Sequence, residues 1–190
     1  MSAPIAAPQA KGSTLHSTLA YVAKDFGEEA RGSVLAALAA EDRERVLAVR
    51  ATDEVPLALL RALWEATERV LGAREPSWPE RSGAFSIEGM GTQMYSGILR
   101  KQSPLEFVTQ PVSLFRLYYH PGDMEVAEAV PGRVVLRLVG FDAGTTVFCR
   151  RQTGGLLRAV ELAGGAGAAV RHVRCQHEGD AFCEWELSWE

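Results

Sequence analysis

The chain has 190 residues, of which 47% are hydrophobic and 23% are charged, values typical of a globular domain with a hydrophobic core. The net charge of −4 and the scattered arginines exclude a general electrostatic attraction to nucleic acid or to an anionic membrane. No apolar stretch reaches the roughly 18 residues of a membrane span, and the first residues lack a signal-peptide pattern, so we expect a cytoplasmic protein.

The first half of the chain is predicted to be helical. Residues 1–13 are rich in Ala, Pro, Gly and Ser and are predicted to form a disordered tail, which leaves 14–190 as one domain. Apolar residues at helical spacing then predict four helices. These run over 27–49 with a break near Glu41, over 56–72, over about 81–101, and over 103–120, with the segment AREPSWPERSG as a loop.

The second half alternates between strand and helix patterns. Two β-rich runs flank the turn pair Pro131-Gly132, which predicts a hairpin. A helix over 145–165 follows, ended by glycines, and a second hairpin turns at Glu178-Gly179-Asp180. The predicted fold class is α+β, with helices packed on one face of a four-stranded antiparallel sheet in the order αααα-ββ-α-ββ.

The last predicted hairpin carries two of the three cysteines of the chain. If Gly179 is the centre of the turn, Cys175 lies opposite Cys183 and Val173 lies opposite Trp185. Strand alternation then places both sulfurs on the buried face. Buried thiolates need a compensating charge, and a Zn²⁺ ion with four tetrahedral ligands supplies it. The hairpin is therefore predicted to hold two ligands of a structural zinc site.

The remaining ligands come from outside the pair. Cys149, on the preceding helix, is the predicted third ligand because a helix before such a hairpin packs onto the sheet. Two histidines compete for the fourth position. His177 shares a strand face with Cys175, whereas His172 reaches the site only if its strand twists or bulges. Apart from a metal site, the cysteines can form an inert core or a Cys175–Cys183 disulfide.

The C-terminal pattern also resembles a known family. The spacing C-x₇-C, a Gly-Asp turn and an aromatic residue two positions after the last cysteine resemble the signature of the 4-vinyl reductase domain family, whose fold is similar to that of TRAPP subunits. The resemblance implies a structural zinc held by Cys149, Cys175 and Cys183, with His172 in place of an acidic ligand. It covers about residues 133–190, and the upstream part resembles an uncharacterised family of myxobacterial paralogues.

The 4-vinyl reductase family includes sensor domains of bacterial activators, so the resemblance implies a non-enzymatic regulatory domain. Such a domain binds a small apolar ligand, forms a homodimer and signals through a partner protein. The alternative is a dimerising adaptor or scaffold without a ligand. The sequence also lacks H-E-x-x-H, G-x-S-x-G and phosphate-loop motifs, so we expect no catalytic residues. The candidate pocket lining is aromatic: Phe107, Phe115, Tyr118, Tyr119 and His120.

Overall fold

A computed structural model describes residues 7–94, 103–108 and 114–190. The helices are α1 (Gly12–Phe26), α2 (Glu28–Ala36), α3 (Ala40–Ala48), α4 (Leu57–Leu71), α5 (Trp78–Met94), α6 (Pro104–Val108) and α7 (Thr146–Leu162). The strands are β1 (Gln9–Lys11), β2 (Glu54–Pro56), β3 (Tyr119–His120), β4 (Asp123–Val130), β5 (Arg133–Val139), β6 (Ala169–Arg174) and β7 (Cys183–Ser188). Short 3₁₀ turns lie at Leu114–Leu117 and Gln176–Glu178.

The larger sheet has the order β4-β5-β7-β6 and is antiparallel throughout. The α+β class and the four-stranded antiparallel sheet are therefore confirmed. The first hairpin turns at Pro131-Gly132, where Gly132 has a φ of 76°, a conformation that glycine adopts without strain. A second sheet of order β2-β1-β3 was not predicted, because its strands have only two or three residues each.

Several predicted boundaries need correction. The tail predicted over 1–13 is ordered from Gln9 onward, since β1 pairs with β2 and β3, and residues 1–6 lie outside the described part. The loop predicted after α4 ends at Trp78 instead of Gly83, because the buried indole of Trp78 donates to Glu68 and starts α5 early. The fourth predicted helix is limited to α6 in the described residues, and β3 replaces its end.

The core lies between the helices and one face of the larger sheet. Alternate residues of β7 point inward, and the largest fully buried side chains include Trp64, Trp78, Trp185, Tyr21 and Phe148. The opposite face carries paired charges, among them Arg137, whose guanidinium donates twice to Glu184. None of the helices in the described ranges is long and apolar enough to cross a membrane.

Helices α5 and α7 approach each other through glycine. A Cβ atom added to Gly83 would lie 1.9 Å from the carbonyl oxygen of Arg151, and one added to Gly154 would lie 1.9 Å from that of Glu80. Real Cβ atoms do not approach a backbone oxygen this closely. The two backbones therefore touch only because both positions lack a side chain, and this contact fixes where α7 lies relative to the N-terminal helices.

We expect Gly154→Ala to destabilise the fold by about 1–3 kcal/mol, because the added methyl group forces α7 away from α5. The free energy of unfolding in urea measures this change. Gly89→Ala in α5 is the matched control, since no heavy atom lies within 4 Å of its added Cβ. This control should be neutral or stabilising by up to about 1 kcal/mol. Equal effects of both substitutions would contradict the close-packing account.

Candidate functional site

A bulge in β6 decides which side chains meet at the base of the last hairpin. His172 pairs with Trp185 and Arg174 pairs with Glu184, so the register shifts by one residue at Val173. Val173 is 43% exposed, and its predicted pairing with Trp185 is wrong. A one-residue bulge turns the residues before it to the other face of the strand. His172 therefore faces inward, which simple alternation did not allow.

Four side chains converge beneath this hairpin. The sulfurs of Cys149, Cys175 and Cys183 and one ring nitrogen of His172 all lie within 4.8 Å of one another. The sulfurs of Cys149 and Cys183 are 3.6 Å apart, and all three cysteines are buried and free of disulfides. A tetrahedral ion with metal–sulfur bonds of about 2.3 Å separates its sulfur ligands by about 3.8 Å. The cluster therefore has dimensions that suit one metal ion.

The imidazole of His172 is held by stacking. Its ring lies 4.6 Å from a ring of Trp185 at an interplanar angle of 18°. Its Nε2 atom is buried without a hydrogen-bond partner among the described residues. His177, the rival fourth ligand, is not a member of the four-residue cluster and lies with Nε2 3.9 Å from a carboxylate oxygen of Asp142. The structure thus places His172 beside the sulfurs and His177 at the rim of the hairpin.

The three cysteine thiols differ in the direction in which their pKa values are shifted. The hydrogen bond with Cys149 lowers the pKa of Cys183, and the side chain of His172 and the backbone of Gln176 act in the same direction. The same contact, together with burial, raises the pKa of Cys149. Burial is also the main cause that raises the pKa of Cys175. Without a cation, the cluster therefore favours one thiolate at Cys183 and protonated thiols at the other two positions.

Hydrogen bonds hold the hairpin against α7 around the cluster. The indole N–H of Trp185 donates to the hydroxyl of Thr153 at 3.0 Å, and that hydroxyl donates to the carbonyl oxygen of Cys149 at 3.1 Å. At the turn, the backbone N–H of Cys175 donates to a carboxylate oxygen of Asp180 at 2.8 Å. These bonds position the sulfurs before any ligand is present.

The predicted aromatic pocket is divided between core and surface. Phe115 and Tyr119 pack with Phe141 and Phe148 at ring-centroid distances of 5.1–6.4 Å, which is a filled aromatic core. His120 lies 3.6 Å from Glu54 with its side chain 44% exposed. Two of the predicted residues, Tyr118 and Tyr119, line a small cavity. Phe107 belongs to α6, and its side chain lies outside the described part.

Arg151, which was not among the predicted site residues, lines the same cavity from α7 and is buried. An arginine in a helix is normally assigned to the solvent face. One sequence signal for its burial was available. A glycine pair in a helix, here Gly154-Gly155, indicates close packing against another helix, and Arg151 lies one turn before Gly155.

Comparison with solved structures identifies the fold. No protein-family model matches the sequence, and no curated protein matches it. A variant of an H-NOX protein from K. algicida, in the Fe(II) unliganded state, superposes with a TM-score of 0.72 at 12% identity, covering 95% of this chain and 96% of that one. An H-NOX protein from S. oneidensis in the Fe(II)NO ligation state gives a TM-score of 0.72 at 15% identity, covering 95% and 99%. A histidine-to-glycine variant of the S. oneidensis domain in the Fe(II)CO state gives 0.71 at 15% identity, covering 95% and 98%.

These similarities correct the family assignment. The chain has the fold of H-NOX (heme nitric oxide/oxygen binding) domains, and the predicted 4-vinyl reductase and TRAPP-like assignment is wrong. A C-terminal cysteine hairpin is a short local pattern, so by itself it does not identify a fold.

The cofactor and function built on that assignment are corrected as well. The similar structures are described in Fe(II) states, so the expectation of a structural zinc as the cofactor is wrong. The same finding overturns both predicted functions, the zinc-stabilised domain for an apolar ligand and the adaptor without a ligand. The convergence of Cys149, His172, Cys175 and Cys183 does not depend on that assignment. The homodimer stays a prediction.

Proposed function

We propose that this chain is a non-catalytic signalling domain that responds to the state of its Cys149–His172–Cys175–Cys183 cluster and passes the response to a partner protein. The observation that carries this proposal is the convergence of four potential ligand atoms within 4.8 Å in a buried site. The similarity of the fold to H-NOX proteins in Fe(II)NO and Fe(II)CO states supports a sensory role, since those proteins bind small ligands.

In the reduced state, the cluster binds one divalent transition-metal ion. Thiolate and imidazole ligands favour soft ions in tetrahedral geometry, and the donor set alone does not select one element. Four protein ligands leave no open position for water or substrate, which is why we assign the cluster a non-catalytic role. One ring nitrogen of His172 lies within 4.8 Å of the three sulfurs, which places an imidazole donor beside the thiols.

Oxidation supplies the change of state. A peroxide takes two electrons from the thiol of Cys149 and the thiolate of Cys183, which form a disulfide. In the metal-free protein, the thiol proton and one solvent proton complete two water molecules from the peroxide. With the ion bound, both sulfurs are thiolates and both protons come from solvent. The two sulfurs are already in contact at 3.6 Å. Losing two ligands releases the ion. The disulfide keeps β7 tied to α7, whereas Cys175 and His172 lose their bond to the ion, so the change that a partner can detect lies in β6 and the hairpin turn.

The heme of the similar proteins does not fit the imidazoles of this chain. Heme iron is commonly held by a proximal histidine. The chain has four histidines, and none lies between residues 17 and 119. His16 bonds the carbonyl oxygen of Val49 at 2.8 Å near the surface, and His120 faces Glu54 at an exposed edge. The other two histidines belong to the last hairpin, so no histidine of the chain is placed to hold a heme in the core.

We expect reduced, chelator-treated protein to bind Co²⁺ at a ratio of one to one, with thiolate-to-cobalt absorption and tetrahedral visible bands. His172→Ala should weaken binding by at least about tenfold, because it removes a ligand, whereas His177→Ala should not. The affinity should fall as the pH falls, because binding displaces thiol protons and the pKa values of Cys149 and Cys175 are raised. Equal Co²⁺ affinity of both histidine variants would contradict the assignment.

We expect peroxide to convert the metal-free protein to a species two hydrogens lighter, with Cys149 and Cys183 joined. Non-reducing peptide mapping identifies the pair, and a colorimetric chelator measures ion release from the loaded protein. Burial makes this reaction slower than that of an exposed thiol. Cys175→Ser serves as the control that keeps the reacting pair, and Cys149→Ser should prevent the disulfide. Complete resistance of the metal-free protein would refute the proposed response.

We expect hemin to give no stoichiometric complex with a histidine-ligated absorption spectrum, in either the ferric or the dithionite-reduced state. The absorption titration is compared with that of an H-NOX protein in the same buffer. A saturable complex of this kind, at one heme per chain, would show that a histidine of this chain binds heme iron. That result would favour heme-based sensing over sensing by the thiol cluster.

A further inference from the structure

A guanidinium without an acidic partner lies inside the protein. Arg151 is 5% exposed, whereas Arg150 and Arg158 on the same helix form surface ion pairs with Glu80 and Glu88. All 24 Asp and Glu residues belong to the described part of the chain, and none of them pairs with Arg151 there. A buried charge is costly unless another charge or a full set of hydrogen bonds compensates it.

The contacts of Arg151 with other residues are neutral. Its terminal nitrogens donate to the hydroxyls of Ser82 and Ser86, the latter at 3.2 Å. The guanidinium carbon lies 5.3 Å from the ring of Trp64, a cation–π contact. An arginine has five N–H donors, and these hydroxyls are acceptors that bring no negative charge. Neutral groups of the protein therefore solvate part of the positive charge of Arg151, but no negative charge balances it.

The free space beside Arg151 is lined mostly by apolar surface, with several polar groups on its wall. A cavity of 70 Å³ lies where α1, α5 and α7 meet, next to the glycine contact of α5 with α7. A single water needs roughly 10–15 Å³ of such space, so the cavity has room for a polar molecule of several atoms. Besides Arg151, the cavity is lined by five residues that carry hydroxyl groups: Thr14, Ser17, Ser86, Tyr118 and Tyr119.

We propose that this cavity binds a small carboxylate or inorganic oxyanion, with Arg151 as its anchor. The planar fork of a guanidinium matches two oxygens of such an anion. The hydroxyls of Ser17 and Ser86 bond each other, and that of Ser86 also bonds the carbonyl oxygen of Ser82, so Arg151 is the main donor to the anion. Binding places a negative charge where the structure has an unbalanced positive one. The volume of the cavity limits the ligand to a few heavy atoms, such as formate, acetate, nitrate or phosphate. The proposal does not depend on the thiol cluster or its metal ion.

The test measures anion binding to the full chain in chloride buffer at constant ionic strength. Formate, acetate, nitrate and phosphate are titrated separately, and the Nε–H resonance of Arg151 is followed by NMR together with the melting temperature. At least one anion should give a saturable shift of that resonance and a stabilisation that grows with its concentration. A longer carboxylate, hexanoate, distinguishes a closed cavity from an open one, since only an open cavity admits its chain.

Matched variants separate the site from general ionic effects. Arg151→Lys keeps the charge and loses the fork, so its affinity should fall at least about tenfold, whereas Arg150→Lys should bind as the wild type does. Ser17→Val adds bulk at the cavity wall and should abolish anion binding. Its circular dichroism spectrum should remain native, so this variant tests the site even if Arg151→Lys fails to fold. An equal response of Arg151→Lys and wild type, or no saturable response to any of the anions, would overturn the proposal and leave the cavity to water.

Discussion

The close contact between α5 and α7 is the constraint on which the rest of the structure depends. The two backbones meet at Gly83 and Gly154, where any side chain would collide with a carbonyl oxygen of the facing helix. This contact fixes the position and rotation of α7. One face of the helix then presents Cys149 to the last hairpin, and another presents Arg151 to the interior. Both candidate sites are thus consequences of one packing contact between two helices.

The thiol cluster depends on a local irregularity as much as on its residue types. A regular β6 would turn His172 away from the sulfurs, whereas the bulge at Val173 turns it inward and stacks it on Trp185. The exposed side chain of Val173 is the cost of this arrangement, since an apolar residue is left in solvent. Bulges often aim a side chain at a functional site, and this one supplies the only imidazole of the four-residue cluster.

Fold and chemistry are separate in this protein. The chain superposes on Fe(II) H-NOX proteins over nearly its whole length, while its identity with them is 12–15%. Its His16 and His120 lie at the surface, whereas His172 joins the three cysteines under the C-terminal hairpin. A fold of this kind is a scaffold on which different ligand sites can be built, so the donor atoms decide the function. Here they favour a thiol–imidazole cluster and a cationic cavity.

The sequence by itself determined α4 and α7, both antiparallel hairpins of the larger sheet, and the proximity of the three cysteines. These features depend on neighbours in the chain or across a tight turn, so local spacing is sufficient to predict them. The sequence left α1 unassigned and the fourth position of the cluster open between His172 and His177. Tertiary structure alone decided the small sheet β2-β1-β3, the one-residue shift at Val173 and the burial of Arg151. Each of these features depends on a packing conflict or on contacts between residues that are far apart in the chain. Such contacts and conflicts leave no periodic pattern in the sequence. The family resemblance failed for the same reason, because a short hairpin pattern carries no information on how distant helices pack.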